Sequence, residues 1–453
     1  MLQVSDQQKH LIVGSSEILL LKNALWILVI LQSVVAVLTP LRAQHRCGTV
    51  EYMQTLRNSG LLIESENQFE EWMRDELSKQ TRHSPEARRK AEVYKIPVVV
   101  HVIHNGEPVG TGTNISVAQI NSQFDVLNKD FNRQNADAVN TPFEFLEVAS
   151  GMSVEFVLAQ IDPDGAPTNG IVRVQGTKSE WTLADNVELK SLSYWPAENY
   201  LNIWVCNIVD YFGFTQLPVS SLPGLEGSSR NRLTDGIIIA YNVFGSSDYG
   251  SFNLHPVYNK GRTTTHEMGH FFGLRHIWGD TEGCGGTDYV EDTPPQSDPT
   301  FDCPVHPILD CPDENPQSKM FQNYLDFTDD VCMNLFTSGQ VDRMTVVLEN
   351  SPRRASLLLP LAAEQPVVQF PRVFSPNGDG INDYWLWTNT LDYQGCKLTI
   401  FNRFGKVVYE MVSYDGTWSG RTSDGYQLEE EAYYYVIRCD GMKEITGGVR
   451  IVR

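Results

Sequence analysis

Basic charge is in short supply in this chain: 35 lysines and arginines stand against 56 aspartates and glutamates, a formal net charge of −21. No Lys/Arg stripe gathers on any segment, so the phosphate-binding face that a nucleic-acid partner demands is missing. Long apolar runs are missing too, apart from one near the N-terminus, which excludes a polytopic membrane protein. No internal repeat or collagen-like composition is present. The acidic surplus is spread along the chain rather than gathered into a tail, as suits a solvated surface. Histidine is scarce, ten in 453 residues, and three of the ten fall between positions 266 and 276.

The one apolar run, Ala24–Leu31 extended by Val34–Leu38, follows Lys22 and precedes Arg42-Ala43-Gln44. That order of positive, apolar and small residues predicts a secretory signal peptide over 1–43, and the run is short for a retained anchor. In an exported chain the eight cysteines are disulfide material. Cys284, Cys303, Cys311 and Cys332 fall in one segment, Cys396 and Cys439 near the C-terminus, and Cys47 and Cys206 stand apart.

Residues 44–93 are polar and helix-prone, with few apolar anchors, and end in a basic stretch that includes Arg88-Arg89-Lys90. Such an exposed end is open to proteolysis, so the segment is read as a pro-segment. The pattern then changes. Ile96–Ile103, Val154–Ala159, Leu201–Cys206 and Gly236–Tyr241 are apolar and β-branched, while Val117–Phe131 places Ile120, Phe124, Leu127 and Phe131 at helical spacing. The mixture predicts an α/β or α+β domain over 94–350; the α+β form, a mixed twisted sheet with an active-site helix, is what the family resemblance given below implies. Residues 351–369, with Pro352, Pro360 and Pro366, are read as a linker. Turn signals at Asn377-Gly378, Asp415-Gly416 and Asp424-Gly425 predict a small all-β sandwich over 370–453.

The chemistry concentrates in Thr265-His266-Glu267-Met268-Gly269-His270-Phe271-Phe272-Gly273-Leu274-Arg275-His276. On a helix, His266 and His270 share a face. Gly273 can adopt the positive φ that ends the helix and lets His276 return as a third ligand. Three imidazoles leave one tetrahedral position open, the arrangement of catalytic zinc. Glu267 is placed to act as base toward a water there. The HExxHxxGxxH spacing is the metzincin signature.

With His276-Ile277-Trp278-Gly279-Asp280 following, the motif resembles that of the pappalysin (cytophagalysin-type) metalloproteases. Ile96–Val102, Leu201–Cys206 and Cys332-Met333-Asn334-Leu335-Phe336-Thr337 extend the likeness over most of 45–350. The resemblance implies disulfides Cys284–Cys311 and Cys303–Cys332, where spacing alone leaves three connectivities open. It implies a latency role for Cys47, whose thiolate would fill the open zinc position; a disulfide to Cys206 is the alternative. It also implies calcium at Asp288 and Thr293, beside the plain reading of a solvated loop. The sequence departs from the family at the methionine turn, Asn323-Tyr324-Leu325-Asp326-Phe327. Leu325 conserves the volume of a methionine on the active-site floor. Phe327 replaces a tyrosine that in relatives can donate to an oxyanion, and a phenyl ring cannot.

Phe374–Asp383, Ile400–Gly405 and Ala432–Val436 resemble the C-terminal sorting domains of type IX secretion cargo. That likeness implies export through the periplasm, to the medium or the cell surface, with the type IX machinery as a partner. Asn377, Asp379 and Asp383 are read as a turn cluster, and Cys396 and Cys439 as a bridge between adjacent strands. Two functions follow. One is a monomeric, secreted zinc endopeptidase acting on proteins or peptides, made as a zymogen, with Asp329 and Asp330 favouring basic residues beside the scissile bond. The other is a catalytically impaired surface-binding protein on the same scaffold, motivated by Leu325 and Phe327.

Overall fold

A computed structural model describes residues 44–79, 93–223, 234–311, 316–358, 370–378, 382–386, 395–439 and 444–453. The expected signal peptide, the basic cluster at 88–90 and Asp379 lie outside the described residues. Among the described residues no helix is long and apolar enough to cross a membrane.

The described residues open with strand β1 (His45–Cys47), helix α1 (Thr49–Asn58) and helix α2 (Glu66–Lys79). Strand β2 (Tyr94–His104) follows, then helix α3 (Val117–Phe131), whose N-terminus is capped by Ser116 Oγ accepting from Gln119 N at 3.1 Å. Next come β3 (Ala149–Ser150), β4 (Val154–Leu158), β5 (Ile171–Gln175), helix α4 (Asn186–Ser191), β6 (Leu201–Cys206), β7 (Tyr211–Thr215) and β8 (Ile237–Ala240). Helix α5 (Arg262–Phe271), β9 (Phe336–Thr337) and helix α6 (Ser338–Asn350) complete this domain's regular elements.

One sheet runs in the order β1-β7-β8-β6-β2-β4, with β5 also paired to β2. Its pairings are parallel except β7 with β8. Parallel strands covered on both faces read as continuous apolar runs. β2, β6 and β8 do so: every residue from Ile96 to Ile103, Leu201 to Cys206 and Ile237 to Ala240 is buried. The core between sheet and helices holds Phe124, Leu127 and Phe131 of α3 with Met268 and Phe271 of α5. The start of α6 is fixed by a Thr337/Gln340 capping box and by Asp292, which accepts from Thr337 Oγ1, Ser338 Oγ and Gly339 N.

Two sequence readings need correction. The segment 44–79 is well anchored: Tyr52, Met53, Leu56 and Leu62 join the main core, and Phe69, Trp72 and Met73 pack against Val346 and Val347 of α6. Its apolar residues are few, but most fall on the inward face of each helix and are buried. Residues 351–358, read as linker, continue the catalytic domain. Leu357 is buried in the main core, and the buried Arg354 donates to Asp235, Phe271 O and Gln216 O.

The C-terminal domain has strands β10 (Val373–Phe374), β11 (Lys397–Phe401), β12 (Val407–Val412), β13 (Ala432–Arg438) and β14 (Ile445–Ile451). They form a sheet ordered β10-β14-β13-β11-β12. Its core is aromatic, with Phe374, Trp385, Tyr414, Trp418, Tyr433 and Tyr435.

Candidate active site

Helix α5 ends where Gly273 adopts φ 86°, and a side chain there would meet Val347 Cγ2 at 2.8 Å. The sharp turn returns His276 toward His270 and His266. The three Nε2 atoms lie 3.1, 3.1 and 3.3 Å apart. Each ring is oriented through Nδ1: His266 donates to Tyr324 O (2.7 Å), His270 to Leu274 O (2.8 Å) and His276 to Asp280 Oδ1 (2.5 Å). Those acceptors carry no proton, so each ring keeps its hydrogen on Nδ1 and can present an Nε2 lone pair to a shared point. Burial, then the neighbouring imidazoles, holds His266 well below its usual range; burial and His276 hold His270 at about 3. Three lone pairs at this separation repel unless a cation lies between them. Nitrogens about 2.0–2.1 Å from one tetrahedral ion would stand about 3.3–3.4 Å apart. The donor set fits zinc.

Glu267 is fully buried, and burial pushes its carboxyl up to about 7 against the pull of hydrogen bonds from Cys47 and Thr49. The floor is Leu325, whose Cδ2 is 3.0 Å from where a side chain on Gly269 would begin. Trp278 stacks on His276 at 4.4 Å, and Phe327 meets His276 and Trp278 edge-on at 4.9 and 4.8 Å. The phenyl ring therefore braces the His266 and His276 imidazoles without offering a donor.

The N-terminal strand enters this site. β1 runs parallel to β7, pairing His45 with Tyr211 and Cys47 with Gly213. Cys47 Sγ joins the three imidazoles in one cluster whose ligand atoms all lie within 4.8 Å of one another. It is a buried free thiol, pushed up by burial and by the charge of Glu267. Cys206 is also free, on the buried strand β6, and forms no bridge to Cys47. Gly48 lets the strand lie on Tyr211, whose ring would be 2.7 Å from any added side chain.

Two neighbours of Cys47 escaped the sequence reading. Thr49 Oγ1 donates to Glu267 Oε2 at 2.9 Å and accepts from Thr215 N at 3.0 Å. Arg46 is buried: Nη2 donates to Asp330 Oδ1 at 3.0 Å, Nη1 to Thr328 O, and the guanidinium lies 4.6 Å from the Tyr258 ring centroid. Asp330 is itself fixed, its Oδ2 accepting from Lys260 N (2.9 Å) and Arg262 N (3.1 Å) at the start of α5. Asp329 is close by but does not contact Arg46 in the same way; its carboxyl is raised by burial and by Asp302. The only signal in the sequence was adjacency to Cys47, since the partners lie far along the chain.

Elsewhere, Cys284 is bonded to Cys311, Cys303 to Cys332 and Cys396 to Cys439. Asp288 and Thr293 meet directly, Thr293 Oγ1 lying 2.9 Å from both carboxylate oxygens and from Val290 O. Asp288 is buried, and burial pushes its carboxyl up to about 7. Asp383 Oδ1 accepts from Gly378 N at 2.6 Å in a turn.

Residues 186–349 match the family model of Pregnancy-associated plasma protein-A, the pappalysin peptidases, and residues 368–451 match that of the Type IX secretion signal domain. An extracellular metalloprotease of Arthroderma otae is 47% identical over 183 residues, covering 40% of this chain and 63% of that protein. The chain thus spans under two thirds of that curated relative. Among solved structures, a promirolysin mutant of Tannerella forsythia is 37% identical with a TM-score of 0.58, covering 71% of this chain and 100% of that one. Mature mirolysin of Tannerella forsythia in complex with a cleaved peptide is 41% identical, TM-score 0.53, covering 60% and 97%. The C-terminal match marks a protein secreted or displayed at the surface by a type IX route. On this fold, these histidines and these likenesses, the chain belongs to the pappalysin family of metalloproteases.

Proposed function

We propose that the chain is a zinc-dependent endopeptidase that hydrolyses peptide bonds in proteins, made latent by residues 44–79. The observation that carries this reading is the convergence of three imidazole Nε2 atoms beside a buried carboxyl group. His266, His270 and His276 would hold the zinc, which supplies Lewis acidity, acidifying water to a pKa of about 7 and polarising a carbonyl. Glu267 takes the proton of the attacking water and returns it to the leaving amine, as its place beside the three imidazoles allows. Phe327 leaves oxyanion stabilisation to other groups, so turnover is set below that of a tyrosine-bearing relative.

Latency is supported by three contacts made together. Cys47 is positioned to occupy the fourth ligand place, Thr49 holds the general base, and Arg46 fills a pocket ended by Asp330. That pocket also supports a preference for peptides with a basic residue next to the scissile bond, since a buried carboxylate is neutralised best by a guanidinium. For the loop at Asp288 and Thr293 we propose calcium. A buried carboxylate supports it; of the six to eight oxygens calcium takes, the two side chains supply at most three and backbone carbonyls would supply others. No step of the mechanism depends on it. The peptide in the mirolysin complex is cleaved, which supports peptide substrates here.

The test is a protease assay on protein freed of residues 44–79. Hydrolysis of an unfolded protein, abolished by chelation and restored by zinc, is expected. No cleavage of any unfolded protein or peptide library by the zinc-loaded form would favour the surface-binding alternative.

A further inference from the structure

The groove where α2 lies on α6 has features that blocking an active site does not require. On its apolar side Phe69, Trp72 and Met73 pack on Val346 and Val347, and Trp72 Nε1 donates to Ser221 Oγ at 3.1 Å. On its polar side a single oxygen, Glu70 Oε1, accepts from Arg275 Nε at 2.8 Å and from Arg343 Nη2 at 2.7 Å. Glu66 Oε1 adds a contact to Arg275 Nη1 at 3.1 Å. The Glu70 and Arg343 side chains are 3% and 2% exposed, so this is a buried pair. The receiving half is held by the catalytic domain alone. Arg343 donates to Gly273 O, and both guanidiniums lie over the Tyr289 ring, 5.9 and 5.5 Å from its centroid.

Every one of these contacts belongs to residues at or before Lys79, as do the β1–β7 pairing and the Cys47, Thr49 and Arg46 contacts. Cutting the chain between Lys79 and Val93 therefore breaks none of them. A fragment so held leaves slowly, because departure strips a buried carboxylate from two guanidiniums and exposes the apolar stripe at the same time.

We propose that this groove is an exosite for an acidic amphipathic helix, and that its occupant after proteolysis is the pro-segment itself, retained through α2 once the chain is cut. Charge complementarity selects that occupant: Glu66 and Glu70 of α2 flank the apolar stripe and meet Arg275 and Arg343 of the groove. This rests on the zymogen reading and adds to it: the cut is not the activating event, release is.

The test uses the full chain with a site for a sequence-specific protease inserted between Lys79 and Val93. After cutting, gel filtration and mass spectrometry should find the 44–79 fragment co-eluting with the rest, with peptide hydrolysis at the uncut level. In the Glu66→Gln/Glu70→Gln chain, and separately in Trp72→Ala, the same cut should release the fragment and raise hydrolysis at least tenfold. Loss of the fragment from the wild-type chain on cutting would overturn the proposal, as would variants that retain it equally tightly. Co-elution is read without activity. Release in the variants with no hydrolysis would sink the protease reading and leave the groove standing.

Discussion

The interior around the active site is crowded with charge, while the C-terminal domain buries almost none. Arg46, Asp130, Asp235, Arg262, Glu267, Asp330, Arg343 and Arg354 are all buried in the first, whereas the second buries one polar side chain among its described residues, Thr399. Buried charges are expensive unless paired, and here they are paired around the helix that carries His266 and His270: Arg262 with Asp130 and Asp137, Arg354 with Asp235, Asp330 with the backbone at the start of α5. Such a network fixes donors and acceptors before substrate arrives, which is what electrostatic catalysis needs. The C-terminal domain is held by aromatic burial and a bridge between Cys396 and Cys439. That is enough to present a recognisable surface to an export machine, and it prepares no chemistry.

The contrast is sharpest at Glu267. Glu267→Gln should lower kcat/KM by about 10²–10⁴-fold in the freed enzyme while leaving both unfolding transitions in place. An activity within twofold of wild type would remove the general base from the mechanism. The next largest effect tests the charged interior as structure. Burial opposes the charge of Asp235, but Arg354 and Arg353 outweigh it and hold the carboxyl well below its usual value. The stability it confers is present above about pH 4, the value in the unfolded chain, and is lost as pH falls through the depressed value. Calorimetry below about pH 4 should therefore show the catalytic transition falling as Asp235 takes up its proton. Asp235→Ala, which strands Arg354, should cost that transition about 3–5 kcal/mol.

The C-terminal domain should respond in the opposite manner. Trp418→Ala removes the side chain that contacts Phe374, Trp385 and Tyr433, and should cost this domain about 3–5 kcal/mol with no change in hydrolysis. A fall in kcat/KM would mean the two regions are energetically coupled. Smallest is the Cys396–Cys439 bridge, which closes 43 residues. Replacing both cysteines by serine should lower only the C-terminal transition, by about 2–4 kcal/mol.

Local pattern carried much of this into view from the amino acids alone. Helix Val117–Phe131 has the bounds its periodicity predicts, and the His266–His276 spacing marks a helix, a glycine turn and a returning histidine, each a short-range event. What stayed hidden depends on distant partners. Thr49 meets Glu267, Arg46 meets Asp330, and Glu70 meets Arg275 and Arg343, pairs more than 200 residues apart. Nothing local distinguishes those side chains from solvated ones. Residues 351–358 misled for the same reason: a proline-marked stretch without period reads as linker until Asp235 is seen to receive Arg354.

The most direct measurement is the metal content of the folded protein freed of residues 44–79, by elemental analysis after dialysis. The account predicts one zinc per chain, falling to near zero in His266→Ala and His270→Ala. Folded protein with no stoichiometric transition metal, or metal retained unchanged when both histidines are replaced, would contradict it.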